Sequence, residues 1–190
     1  NQKVVYNSAT GKFECAADQT GAGSNGSGQI LSLHPEYPGA VYYSSGSVFV
    51  GQMTLSGGTT GLDNTFKWTS TKAALNDYWI SVRVRLPDNF STWDPTKPIE
   101  FRYKTGVASA ANNYVSIRIK DTAGVERPLT GGEGLANTAF TTASIKGPEA
   151  GGTWTPKGYV TIYVKLAANN TANAYAAAGF INLNFESTLP

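Results

Sequence analysis

Few side chains in this 190-residue sequence can carry catalytic or metal chemistry. The single histidine, His34, stands in the turn-like HPEYPG, and the single cysteine, Cys15, stands in KFECAAD. One imidazole and one thiol cannot make the usual sets of three or four zinc ligands. A Ser-His-Asp set is formally available, but no G-x-S-x-G marks a serine for it, and there is no P-loop. His34 therefore reads as a surface or rim histidine. Cys15 closes no intrachain disulfide and reads as a small buried hydrophobe or the source of an intermolecular bond.

Carboxylates are the remaining reagents. Glycoside hydrolysis needs two of them flanking one bond. Most of the 13 acids fall in segments rich in Gly, Pro, Asn and Asp, and only Glu100 and Glu186 lie centrally in expected strands. Glu100, in IEFRYK, shares its strand face with Arg102 and Lys104, the pattern of a surface charge ladder. No enzyme is expected. No cofactor is expected either, except that calcium has loop-borne candidates in Asp63, Asp77 and Asp88; no D-x-D-x-D loop supports them. GAGSNG, residues 21 to 26, nominally fits G-x-G-x-x-G. A dinucleotide fingerprint must open a helix. Here Pro35 and Pro38 follow where that helix would run, so the stretch reads as a linker.

What remains is binding chemistry. In YWISVRVRL, Tyr78, Ile80, Val82, Val84 and Leu86 share one strand face, leaving Trp79, Ser81, Arg83 and Arg85 on the other. In YVTIYVKL, Val160, Ile162, Val164 and Leu166 go inward and Tyr159, Thr161, Tyr163 and Lys165 outward; in YVSIRIK, Val115, Ile117 and Ile119 go inward. Outward rings at Trp79, Tyr159 and Tyr163, near Arg83 if their strands are neighbours, could stack on sugars. The same rings could equally meet a neighbouring subunit or pack under loops.

These residues need strands to position them. Further strands are expected at Val41 to Val50, Thr65 to Thr69, Ile99 to Tyr103, Val125 to Leu129, Ala139 to Ile145 and Gly179 to Glu186, separated by turn-forming segments such as LPDN, DTAG and KGPEAGG. Only STKAALND and ANAYAAAG tolerate helix. Eight or more strands with one apolar face each need a second sheet, so the expected fold is all-β: an antiparallel, jelly-roll-like β-sandwich. Ahead of it, KVVY and KFECA flank NSATG as two short strands. The expected organisation is an N-terminal β arm at 1–19, a Gly/Ser linker at 20–28 and a sandwich domain at 29–190.

Composition narrows the partners. Lys plus Arg at 15 against Asp plus Glu at 13 is far from the dense basic stripe that phosphate backbones select, so nucleic acid is not expected. No apolar run approaches the roughly 20 residues of a membrane span, and no signal peptide opens the chain. Asn1 reads as a processed or trimmed end, compatible with export. Asn25, Asn89 and Asn169 head Asn-x-Ser/Thr sequons, frequent by chance in so Asn-, Ser- and Thr-rich a chain but open to glycosylation if the protein is exported.

The stretches FKWTSTKAALNDYWISVRVRLPDNFSTW, GGTWTPKGYVTIYVKLAANN and INLNF resemble β-sandwich modules of large secreted bacterial surface proteins. KVVYNSATGKFECAADQTG is similar to segments that precede the globular heads of phage tail fibres and other surface proteins. These resemblances imply an extracellular or cell-surface structural or adhesive role, with no site residue to carry over. The leading expectation is a filament or appendage subunit whose arm (Val4, Val5, Tyr6, Phe13) adds as strands to a neighbouring copy, forming a homopolymer. A linker of about ten residues reaches roughly 17 Å on average and roughly 35 Å at full stretch. The alternatives are a carbohydrate-binding module or adhesin head, and a phage or virus structural protein.

Overall fold

In the computed structural model the described residues are 2–7, 12–17, 27–35, 37, 40–44, 51–56, 64–148 and 151–188. Their regular structure is β throughout, and no helix among them is long and apolar enough to cross a membrane. In chain order the strands are β1 (Gln2–Asn7), β2 (Lys12–Ala17), β3 (Ser27–Leu33), β4 (Val41–Ser44), β5 (Gly51–Ser56), β6 (Thr65–Ser70) and β7 (Asn76–Arg85). They continue as β8 (Phe90–Trp93), β9 (Ile99–Thr105), β10 (Asn113–Lys120), β11 (Glu126–Arg127), β12 (Thr141–Ile145), β13 (Tyr159–Ala168) and β14 (Ala176–Ser187).

All pairings are antiparallel. One sheet runs β11-β10-β13-β7-β4; the other runs β12-β9-β14-β6-β5, with β3 and β8 also paired to β14. The two pack face to face, β13 against β6 and β14, and β10 against β9 and β14. The chain is thus an antiparallel β-sandwich, and the period-two pattern explains why. Ile80, Val82, Ile117, Ile119, Val160, Ile162, Val164 and Leu166 are all at most 1% exposed and meet Ile99, Phe101, Ile181 and Leu183 from the opposite sheet. Each such aliphatic side chain contributes roughly 1.5–3 kcal/mol by leaving water.

Three strands escape a reading of the sequence. β8 buries Phe90 and Trp93 at its ends and exposes Ser91 and Thr92, so no alternation marks it. β5 carries little apolar signal, and β3 opens on the last two residues assigned to the linker, Ser27 and Gly28, which pair with Ser187 and Glu186. A strand at this point, not a helix, agrees with rejecting the dinucleotide motif. The helix-tolerant ANAYAAAG is strand from Ala176 onward. There Ala176, Ala177 and Ala178 pair with both β6 and β9, opposite Trp68 and Tyr103 among others, so tertiary pairing overrides alanine's helix preference.

β1 and β2 form a hairpin of their own, from Gln2↔Ala17 to Asn7↔Lys12. Val4, Val5, Tyr6, Phe13 and Cys15 lie on these strands, but their side chains, like residues 18–26, fall outside the described set.

Candidate functional site

The order β10-β13-β7 brings the expected binding residues together. On its outward face, successive rows cross the strands in register. Arg83 of β7 lies opposite Thr161 of β13, which lies opposite Lys120 of β10. In the next row Ser81 lies opposite Tyr163, which lies opposite Arg118; in the third, Trp79 lies opposite Lys165, which lies opposite Ser116. β11 places Glu126 beside Lys120.

Trp79, Tyr163, Arg118, Lys120 and Glu126 line a recess of about 300 Å³. Cations lie over its rings. The Arg118 guanidinium is 5.5 Å and the Lys165 ammonium 5.3 Å from the Trp79 ring centre, and the Lys120 ammonium is 5.3 Å from that of Tyr163. Such contacts hold flexible cations in place at a partly wet surface. Arg118 donates from Nε to Glu133 Oε1 at 2.8 Å, and its Nη1 is 3.6 Å from Glu126. Lys165 Nζ is 2.9 Å from Asp77 Oδ2. Burial works against the Lys165 charge, but its hydrogen bond with Tyr114 and the carboxylate of Asp77 outweigh this and raise its pKa above the usual lysine value.

Two of the four sequence-derived glycan candidates, Trp79 and Tyr163, thus share one recess. The other two form a second pair toward the start of β13, where Arg83 lies 4.8 Å over the ring of Tyr159, itself 51% exposed. Sequence reasoning does not reach Arg118, Lys120 and Glu126 as site residues. The outward parity of Arg118 and Lys120 is readable in YVSIRIK, but that β10 lies beside β13 is not.

The remaining candidates are also placed. Asp77 is bound to Lys165, and Asp88 to Arg85 at 2.8 Å and Lys157 at 3.6 Å. Among the described residues no group of three or more His, Cys, Asp or Glu side chains could hold a metal; Asp63 lies outside that set. Glu100 accepts from Asn184 and lies near Lys97, on the opposite sheet. His34 is exposed just after β3. Asn89 is exposed in a turn, whereas Asn169 is 8% exposed and its amide nitrogen donates to Asn112 at 3.1 Å. Asn25 lies outside the described residues.

The support for this face is a buried carboxylate. Asp121, 2% exposed, directly follows β10. Its Oδ1 accepts from the backbone N–H groups of Ala123 (3.0 Å) and Val125 (2.9 Å); its Oδ2 accepts from that of Thr153 (3.0 Å) and from the Arg127 guanidinium. Gly124, at φ +80°, completes this tight turn. The turn sets the position of Glu126 relative to Lys120.

No protein-family model and no curated protein matches this chain. Among solved structures it is similar to a family 11 carbohydrate-binding module from Clostridium thermocellum (18% identity, TM-score 0.43, covering 88% of this chain and 98% of that one). It is also similar to TmCBM61, solved in complex with β-1,4-galactotriose (14% identity, TM-score 0.40, 77% of this chain and 88% of that one). A third similarity is to the enzymatically active domain of tailspike protein 4 of bacteriophage CBA120 (11% identity, TM-score 0.43, 78% of this chain and 20% of that one). What this chain's outer face can hold follows from its own residues.

Proposed function

We propose that the chain is a non-catalytic glycan-binding module of a secreted or cell-surface protein, binding on the outward face of β10, β13 and β7. One observation supports this above the others: Trp79 and Tyr163, far apart in sequence, line one recess with Arg118, Lys120 and Glu126. Rings beside hydrogen-bonding side chains suit the apolar faces and polar edges of sugars. The test is affinity electrophoresis of the full chain through gels containing a panel of neutral and acidic polysaccharides. At least one polymer should retard the protein, and Trp79→Ala and Tyr163→Ala should each weaken that retardation by about tenfold, equivalent to roughly 1.4 kcal/mol. Migration unaffected by every polymer, or retardation indifferent to both substitutions, would sink the proposal.

A second reading rests on the arm. β1 and β2 form a separate two-stranded sheet, a unit only marginally stable in water without further support. Docked on an end strand of a neighbouring copy's sandwich, such as β4 or β12, it would gain that support and link subunits. Light scattering of the full chain and of a variant lacking residues 1–26 tests this. Oligomers that vanish on deletion favour it, and a monomeric full chain rules it out.

A further inference from the structure

We propose that the glycan recognised on this face is acidic, and that two cation-on-ring units read its negative groups. The inference rests on the glycan-binding reading and names the ligand class.

The hydrogen-bonding capacity of the face is lopsided. Each of its carboxylates already faces a cation: Glu126 and Glu133 face Arg118, Asp77 faces Lys165, and Asp88 faces Arg85 and Lys157. Arg83 and Lys120 form no ion pair with a described residue; Glu126 stands opposite Lys120 on β11 but pairs with Arg118. A guanidinium and an ammonium donate hydrogen bonds and accept none. A neutral sugar offers hydroxyls that both donate and accept, and satisfying them takes free acceptors. A carboxylate or sulfate accepts only, which matches what Arg83 and Lys120 offer.

Their placement adds to the match. Arg83 lies over the Tyr159 ring at 4.8 Å and Lys120 over the Tyr163 ring at 5.3 Å. Both cations occupy the Arg83–Thr161–Lys120 row, two strand spacings or roughly 10 Å apart at the backbone. Tyr159 and Tyr163 stand four residues apart on one face of β13, roughly 13 Å along the strand. The face thus repeats one device, a ring with a positioned cation, at two points that an extended polymer could occupy together. Two engaged charges on one chain also gain affinity through effective concentration.

The test uses matched polymer pairs in affinity electrophoresis of the full chain: polygalacturonate against its carboxyl-reduced form, and dextran sulfate against dextran. The expected result is at least tenfold stronger retardation by the acidic member of one pair. The combined variant Arg83→Gln, Lys120→Gln should abolish that preference, bringing retardation by the acidic member down to that of its neutral partner. Which pair responds distinguishes carboxylate from sulfate. Equal retardation by acidic and neutral members, with Trp79→Ala weakening both, overturns the acidic assignment and leaves glycan binding standing. An acidic preference that survives the double substitution also overturns it, since the attraction would then come from elsewhere. No retardation by any polymer overturns both this inference and the proposed function.

Discussion

Asp121→Asn should weaken the support of the outer face at a cost that can be worked out from its contacts. The carboxylate accepts three backbone N–H bonds and the Arg127 guanidinium, with its side chain fully buried and that of Arg127 20% exposed. An amide keeps one acceptor oxygen and turns an NH₂ group toward donors. Either Ala123 and Val125, or Thr153 and Arg127, then lose their acceptor. Breaking a fully buried ion pair costs about 3–5 kcal/mol, and the partial exposure of Arg127 places this substitution near the lower end, about 3 kcal/mol. For a chain of this size that lowers Tm by about 6–12 °C. Burial opposes the charge on Asp121, but the N–H groups of Thr153 and Val125 and the Arg127 guanidinium prevail, holding its pKa down to about 2 from 3.8. The folded-state value lies below the unfolded one, so this stabilisation is present above about pH 4 and is lost as pH falls through about 2. Its pH-dependent part is about 2 kcal/mol. Urea denaturation of the wild-type and Asp121→Asn chains between pH 7 and pH 2 is the assay. The gap between them should be about 3 kcal/mol at pH 7 and shrink to about 1 kcal/mol at pH 2. A gap below about 1 kcal/mol at neutral pH, or one that does not narrow in acid, would refute the reasoning.

Three further substitutions test the packing. Ile162→Ala, at a site with no exposed surface in the middle of β13, should cost about 3–4 kcal/mol in urea denaturation, and a loss below about 1 kcal/mol would contradict the assigned core. Asn113→Ala removes bonds from its amide to the carbonyls of Val107 and Ser109 and to its oxygen from the N–H groups of Val107 and Tyr175, so it should cost about 2–3 kcal/mol by the same assay. Gly106→Ala would set a Cβ 1.7 Å from the backbone oxygen of Asn173, so a measurable fall in Tm, equivalent to about 2 kcal/mol or more, is expected; an unchanged Tm would show that the β9 end is not tightly packed there.

Much of the candidate site is legible in the order of residues along the chain. Alternation alone puts Trp79, Arg83, Tyr159 and Tyr163 outward, and all four lie on one sheet face. It also puts Arg118 and Lys120 outward, yet offers no reason to set them beside Trp79. Asp121 carries still less warning, because its role depends on Thr153, which a loop far along the chain brings to it.

The class of fold and the parity of the main strands are written in the local alternation of residues. Alternating apolar residues cannot be buried on one sheet without a second sheet to cover them, and Gly, Pro and Asn between the runs exclude helices long enough to do so. Which strands become neighbours is set by packing across the whole domain. Pairing depends on how complete apolar faces and sheet edges fit one another, a property of the assembled sandwich that no local window contains. That pairing makes two cations and two rings, drawn from β7, β10 and β13, into a repeated unit on one surface, and strand β14 shows the same logic by holding alanines extended between β6 and β9.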